Sequence, residues 1–121
     1  FTEAAEKYKE LRSDLDAGKT SLSKRSRSNL NQLLYQSERS FLNPDGLPRR
    51  PWFRHQIYAP GYYTGYGVKT LPGIREGIEE RKYYEAQEQI DETAFAIMRF
   101  TSIVNQVNGM LPSLERIKMA R

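Results

Sequence analysis

The chain has 121 residues, enough for one domain with a modest core, and no cysteine, which removes disulfides, thiolate metal sites and a cysteine nucleophile. Its one histidine, His55, excludes a zinc site needing two imidazoles, and no apolar run approaches the roughly 18 residues of a membrane span. The net charge of +4 is diffuse: basic runs at 19–28 (Lys19, Lys24, Arg25, Arg27) and 49–54 (Arg49, Arg50, Arg54) sit among alternating acids and bases, without the single basic face of a nucleic-acid binder.

Phe1 to Asp16 reads as a helix, because Phe1, Ala4, Tyr8, Leu11 and Leu15 recur at three- and four-residue spacing. Ala17-Gly18 is the expected stop. A second helix is expected from about Leu22 to Phe41, capped by Ser21 or Ser23, with Leu30, Leu33, Leu34, Ser37 and Phe41 on one face. Two such helices joined by a short loop pack antiparallel.

The segment from Leu42 to Leu71 holds four prolines and four glycines, and neither helical nor strand periodicity persists through it. It also holds Trp52, Phe53, Tyr58, Tyr62, Tyr63 and Tyr66, rings that a solvated linker does not need. Such a stretch is expected to be functional or packed against something large.

Helix resumes at Pro72, the favoured first helical position, with Ile74 and Ile78 as its expected apolar face. The longest helix is expected from Lys82–Glu85 to about Asn108. Ile90, Ala94, Ile97, Thr101 and Val104 form its predicted core stripe, with Phe100, Val107 and Leu111 beside it. Asn108-Gly109 and Pro112 mark its end, and residues 113–121 can add an amphipathic turn or two. The whole reads as all-α: an up-and-down bundle of about four helices with a long aromatic, proline-rich loop between the second and third.

Catalytic signals are sparse. His55 has no acid close in sequence, so it reads as a histidine bonded to the backbone rather than as a general base. Glu76, Glu79 and Glu80, interleaved with Arg75 and Arg81, read as a solvated helix face paired at i,i+4. No Glu-x-x-His motif is present. Gly61, Gly65 and Gly67 match neither a dinucleotide fingerprint nor a P-loop, and with the tyrosines between them they describe a tightly turned loop that presents rings.

The run GLPRRPWFRHQIYAP, Gly46 to Pro60, resembles the transferrin receptor-like dimerisation domain of the glutamate carboxypeptidase/transferrin receptor family. LPGI at Leu71 to Ile74, FTEAAEKYKELRSDLD at Phe1 to Asp16 and SERSFLNPDGLP at Ser37 to Pro48 extend the resemblance. The helix Glu85–Asn108 matches the family's last helix in length and apolar character, so the resemblance covers roughly residues 1–110. It implies a non-catalytic helical domain that builds a homodimer and packs on a peptidase domain of the same protein. It also implies zinc held only in that peptidase domain, no cofactor here, and neither nucleic acid nor membrane as a partner of this segment. The compartment is left open, since members are commonly membrane-anchored, secretory or vacuolar.

In peptidase members a Lys-Tyr pair in the loop after the IYAP motif helps hold a substrate carboxylate. The resemblance carries the tyrosine onto Tyr66 and places Gly65 where the lysine stands. The long form of the loop, Gly61 to Thr70, is similar to the peptidase branch rather than the receptor branch. Trp52, Phe53, Arg54, His55, Tyr58, Tyr62 and Tyr63 are the expected interface and packing residues. A different reading of the same composition is a helical module that grips a hetero-partner through its aromatic loop.

Overall fold

The computed structural model describes residues 2–17 and 23–110. Among these, four helices and one antiparallel hairpin follow in the order α1 (Thr2–Asp16), α2 (Lys24–Arg39), β1 (Tyr58–Pro60), β2 (Val68–Thr70), α3 (Pro72–Glu79) and α4 (Tyr83–Met110). The chain divides into two compact units, one of residues 1–37 with 100–121 and one of residues 38–99. The expected stop at Gly18, the cap at Ser21 and the turns at 113–121 lie outside the described residues.

In the first unit, α2 begins where a serine can close its open end. The Ser26 amide donates to Ser23 Oγ at 3.1 Å, which satisfies one orphan donor of the first turn. Tyr8 of α1, Leu34 and Ser37 of α2, and Phe100, Val104 and Val107 of α4 line an apolar cavity of about 380 Å³. Residues of the first half of α1 and the end of α2 thus share this cavity.

In the second unit, the segment expected to be irregular is a hydrogen-bonded scaffold. The amides of Asn43, Leu47 and Gln56 donate to the carbonyls of Arg54, Phe53 and Phe41 at 2.8–3.0 Å. The Asp45 amide donates to Asn43 Oδ1 at 3.0 Å, an Asx turn that starts the reversal. Gly46 has φ +73°, and a Cβ there would meet the Pro51 carbonyl oxygen at 2.2 Å, so only glycine fits. Leu47 and Gln56 are fully buried under these turns. The hairpin then pairs Tyr58 with Thr70, Ala59 with Lys69 and Pro60 with Val68. An all-α description therefore needs this small sheet added. Three-residue strands leave too little pattern for a period of two to register.

α3 starts at Pro72 as expected. Its end is a Schellman motif: the Lys82 amide donates to the Gly77 carbonyl and the Arg81 amide to that of Ile78, with Arg81 at φ 58° in the position usually given to glycine. The helix buries Gly73, Glu76 and Gly77, while Ile78 is half exposed. Of the expected Ile74/Ile78 face, Ile74 is half-buried and Ile78 is the residue corrected. The reason is close helix approach: a Cβ on Gly77 would stand 2.9 Å from both the backbone nitrogen and the Cβ of Ala86.

The same approach re-registers α4. Its buried face in the second unit is Ala86, Gln89, Thr93 and Ala96. The predicted stripe is displaced to the outside, with Ile90 and Ile97 each 42% exposed and Ala94 also exposed. Thr101 and Val104 are half-buried and Val107 is buried, and the helix is described as far as Met110, just past the expected Asn108-Gly109 end.

Candidate functional site

The aromatic loop is fixed by charged residues that the sequence presents as ordinary surface. Arg50 sits between Pro48 and Pro51 and is 2% exposed. Its terminal nitrogen Nη2 donates to both carboxylate oxygens of Glu76 on α3, at 2.9 and 2.8 Å. Its guanidinium also lies over the rings of Phe53 and Tyr62, with centroid distances of 5.8 and 5.7 Å. Glu76 Oε1 accepts in addition the backbone N–H of Tyr62 at 2.8 Å.

Arg49, held at φ 62°, turns the other way. Its fork meets the Glu85 carboxylate of α4 at 2.8 and 3.0 Å, with Glu80 at 3.5 Å, and it too covers the Tyr62 ring, at 5.5 Å. The Glu85 hydrogen bonds raise its guanidinium above the ordinary arginine range, against a smaller opposing effect of burial. Lys69 of β2 pairs with Glu79 and Lys82 with Glu80. The hydrogen bond from Lys82 pulls the Glu80 carboxyl below its ordinary value, over the opposing effect of desolvation. The glutamates expected to form a solvated face paired within α3 are thus anchors for the loop and for the start of α4. The partners of Glu76 and Glu79 lie 26 and 10 residues upstream, beyond what helical spacing can reveal, while Glu80 holds the nearby Lys82 as well as Arg49.

Tyr62 is consequently the point where the loop joins the body. Beyond it the chain closes on itself: the Gly61 amide donates to Gly67 at 2.9 Å and the Gly65 amide to Gly61 at 3.0 Å, with Gly65 at φ +65°. Tyr63 meets Tyr62 edge-on at 5.0 Å. Tyr66 stands at the tip, fully exposed. Trp52 is 70% exposed and leans on half-buried Phe53 with ring centroids 6.4 Å apart. The rings expected to be buried on this domain or a neighbour are therefore mostly uncovered by the chain itself.

His55 does have an acid partner, 17 residues upstream. Its Nε2 lies 3.1 Å from Glu38 Oε1, and the same oxygen accepts the Tyr58 hydroxyl at 3.0 Å. Its Nδ1 faces the amides of Ile57 and Tyr58 at 3.2 and 3.3 Å. Nδ1 is therefore the acceptor nitrogen and Nε2 carries the proton. With both nitrogens engaged, the ring braces β1 against the end of α2 and has no lone pair to offer a substrate. The Glu38 hydrogen bond raises the Tyr58 phenol above its ordinary value. Arg54 is exposed, and its carbonyl accepts the Asn43 amide at 2.9 Å and Gln56 Nε2 at 3.2 Å. Among the described residues no three His, Asp or Glu side chains gather as a metal site, and no helix is long and apolar enough to cross a membrane.

The arrangement presents rings on a braced frame. The chain is 32% identical over 82 residues to a probable glutamate carboxypeptidase of Arabidopsis thaliana, a match covering 68% of this chain and 12% of that protein. A probable glutamate carboxypeptidase of Arthroderma benhamiae is 38% identical over 71 residues, 59% of this chain and 10% of the relative. One of Zea mays is 38% identical over 60 residues, 50% and 8% respectively. The matches thus span about a tenth of the length of these relatives. The transferrin receptor-like dimerisation domain profile matches residues 1–105, and the chain belongs to that family.

Proposed function

We infer that residues 1–121 act as one non-catalytic dimerisation domain of a glutamate carboxypeptidase-like zinc peptidase. In this reading the chain self-associates, its loop 61–67 lines the substrate pocket of the same protein, and the metal belongs to the peptidase domain. Tyr66 offers a neutral phenol hydrogen to a substrate carboxylate. Gly65 supplies no charge beside it, so a terminal glutamate is held without a lysine from this position.

The observation that carries the assembly reading is the second face of α4. Ile90, Ala94 and Ile97, three residues of the predicted core stripe, are exposed, and Met98 continues the i,i+4 line of Ile90 and Ala94 beside them. A small residue between larger ones lets a second helix approach closely. Sedimentation of the 121-residue chain across a concentration series tests this. A species of twice 14.1 kDa that Ala94→Glu abolishes, with helix content retained, supports the reading. A monomer at every concentration removes it and favours a hetero-partner gripped by Trp52, Tyr63 and Tyr66.

A further inference from the structure

The Gly61–Gly67 loop closes through its own backbone, so its orientation depends on where it is tied down. The hairpin strands fix its two ends, and Tyr62 adds the third point. There, one residue is held through its amide by Glu76 and through its ring by Arg49 and Arg50. The acceptor is itself held. Glu76 is 2% exposed and both its oxygens are engaged by the equally buried Arg50. Arg50 is in turn set between two prolines in the scaffold that Gly46 and Asn43 shape.

We propose that the Arg50–Glu76 pair is a positioning device for Tyr66: by anchoring the Tyr62 amide it sets the direction in which the loop presents its tip. The importance of that direction to a ligand rests on the pocket role proposed above; the anchoring itself does not. Two features separate this role from general core stability. A buried ion pair contributes little net energy compared with well-packed apolar residues, so stability alone gives weak reason for one here. An apolar pair also has no acceptor for the Tyr62 N–H, whereas the carboxylate accepts it with oxygen Oε1 while staying bonded to arginine.

Amide hydrogen exchange of the full 121-residue chain, resolved by residue, tests the proposal. In the unaltered chain the Tyr62 amide is expected to be protected. In Glu76→Gln, whose side chain can no longer accept with two oxygens, exchange at Gly61, Tyr62 and Gly65 is expected to rise about tenfold or more, while Ala86 to Ala96 keep their protection. A rise shared equally by all of these amides overturns the proposal, since it makes the pair a general fastener. An unprotected Tyr62 amide in the unaltered chain overturns it without any variant. Neither readout depends on association state, so this proposal and the assembly reading stand or fall separately.

Discussion

At the scale of single residues, the molecule concentrates its long-range electrostatics on arginines 49 and 50, two neighbours that meet at the Tyr62 ring but hold different acids. The positive φ of Arg49 makes that possible, because it swings one side chain toward Glu85 while the next dives under Tyr62 toward Glu76. Breaking the buried pair from one side is costly: Glu76→Ala strands a buried guanidinium, and urea denaturation is expected to show a loss of about 3–5 kcal/mol. The double variant Arg50→Met/Glu76→Leu should recover most of that but not all, since the Tyr62 amide loses its acceptor, a deficit of about 1 kcal/mol or more.

Two groups give stability a pH dependence of known sign. Glu80 has its folded-state value lowered, so it contributes stability above its ordinary value near 4.5 that fades as pH falls through the lowered one. Tyr58 has its value raised, so its contribution is complete below its ordinary 10.0 and disappears as pH climbs through the raised value. Lys82→Met should weaken the acid-side dependence and Glu38→Gln the alkaline one, both read from denaturation midpoints against pH.

At the scale of elements, the helices were legible and their faces were not. Pro72 as a first helical residue and Ser23 as a cap are local chemistry, and both stand where the sequence places them. The packing of α3 on α4 is not local. Glycine at 73 and 77 brings the helices so close that the buried side of α4 must be small or narrow, and Ala86, Gln89, Thr93 and Ala96 meet that need with little hydrophobicity. A periodicity argument weights large apolar residues and therefore selects Ile90 and Ile97, which lie on the neighbouring face. Gly77→Ala is expected to cost about 1–3 kcal/mol through overpacking against Ala86, despite alanine's better helix propensity. Gly65→Ala meets no atom and costs only its positive φ, about 1 kcal/mol. The order of the two in thermal denaturation checks the assignment of the tight crossing. The loop's aromatic content was equally legible, but not its anchoring: Glu76 and Arg50 are 26 residues apart, and only the folded chain joins them.

At the scale of the whole molecule, the exposed rings and the exposed face of α4 are the surfaces on which the proposed pocket and assembly roles rest. Tyr66 belongs to the loop and Ala94 to the helix, so substitutions there should act on separate functions. Ala94→Glu is expected to change mass in solution and leave ring orientation unaltered. Tyr66→Phe is expected to leave mass unaltered and, in a longer protein that carries the peptidase domain, to raise KM for a carboxylate-terminated substrate by roughly tenfold, the worth of one hydrogen bond.

The division of the chain into units has a consequence for the order of folding. One unit is a single continuous stretch, 38–99, whereas the other is assembled from two pieces that this stretch separates. The continuous unit can form from its own contacts as soon as it is available. The split unit must first bring its pieces together across the intervening stretch 38–99, a closure whose entropic cost falls once the insert is already compact. Dependence should therefore run one way. Damage at Gly46 should loosen the split unit as well, while damage at Tyr8 or Leu34 should leave the ion-paired loop intact. A fragment limited to 38–99 should retain a protected Tyr62 amide, and one lacking that stretch should retain no fixed structure.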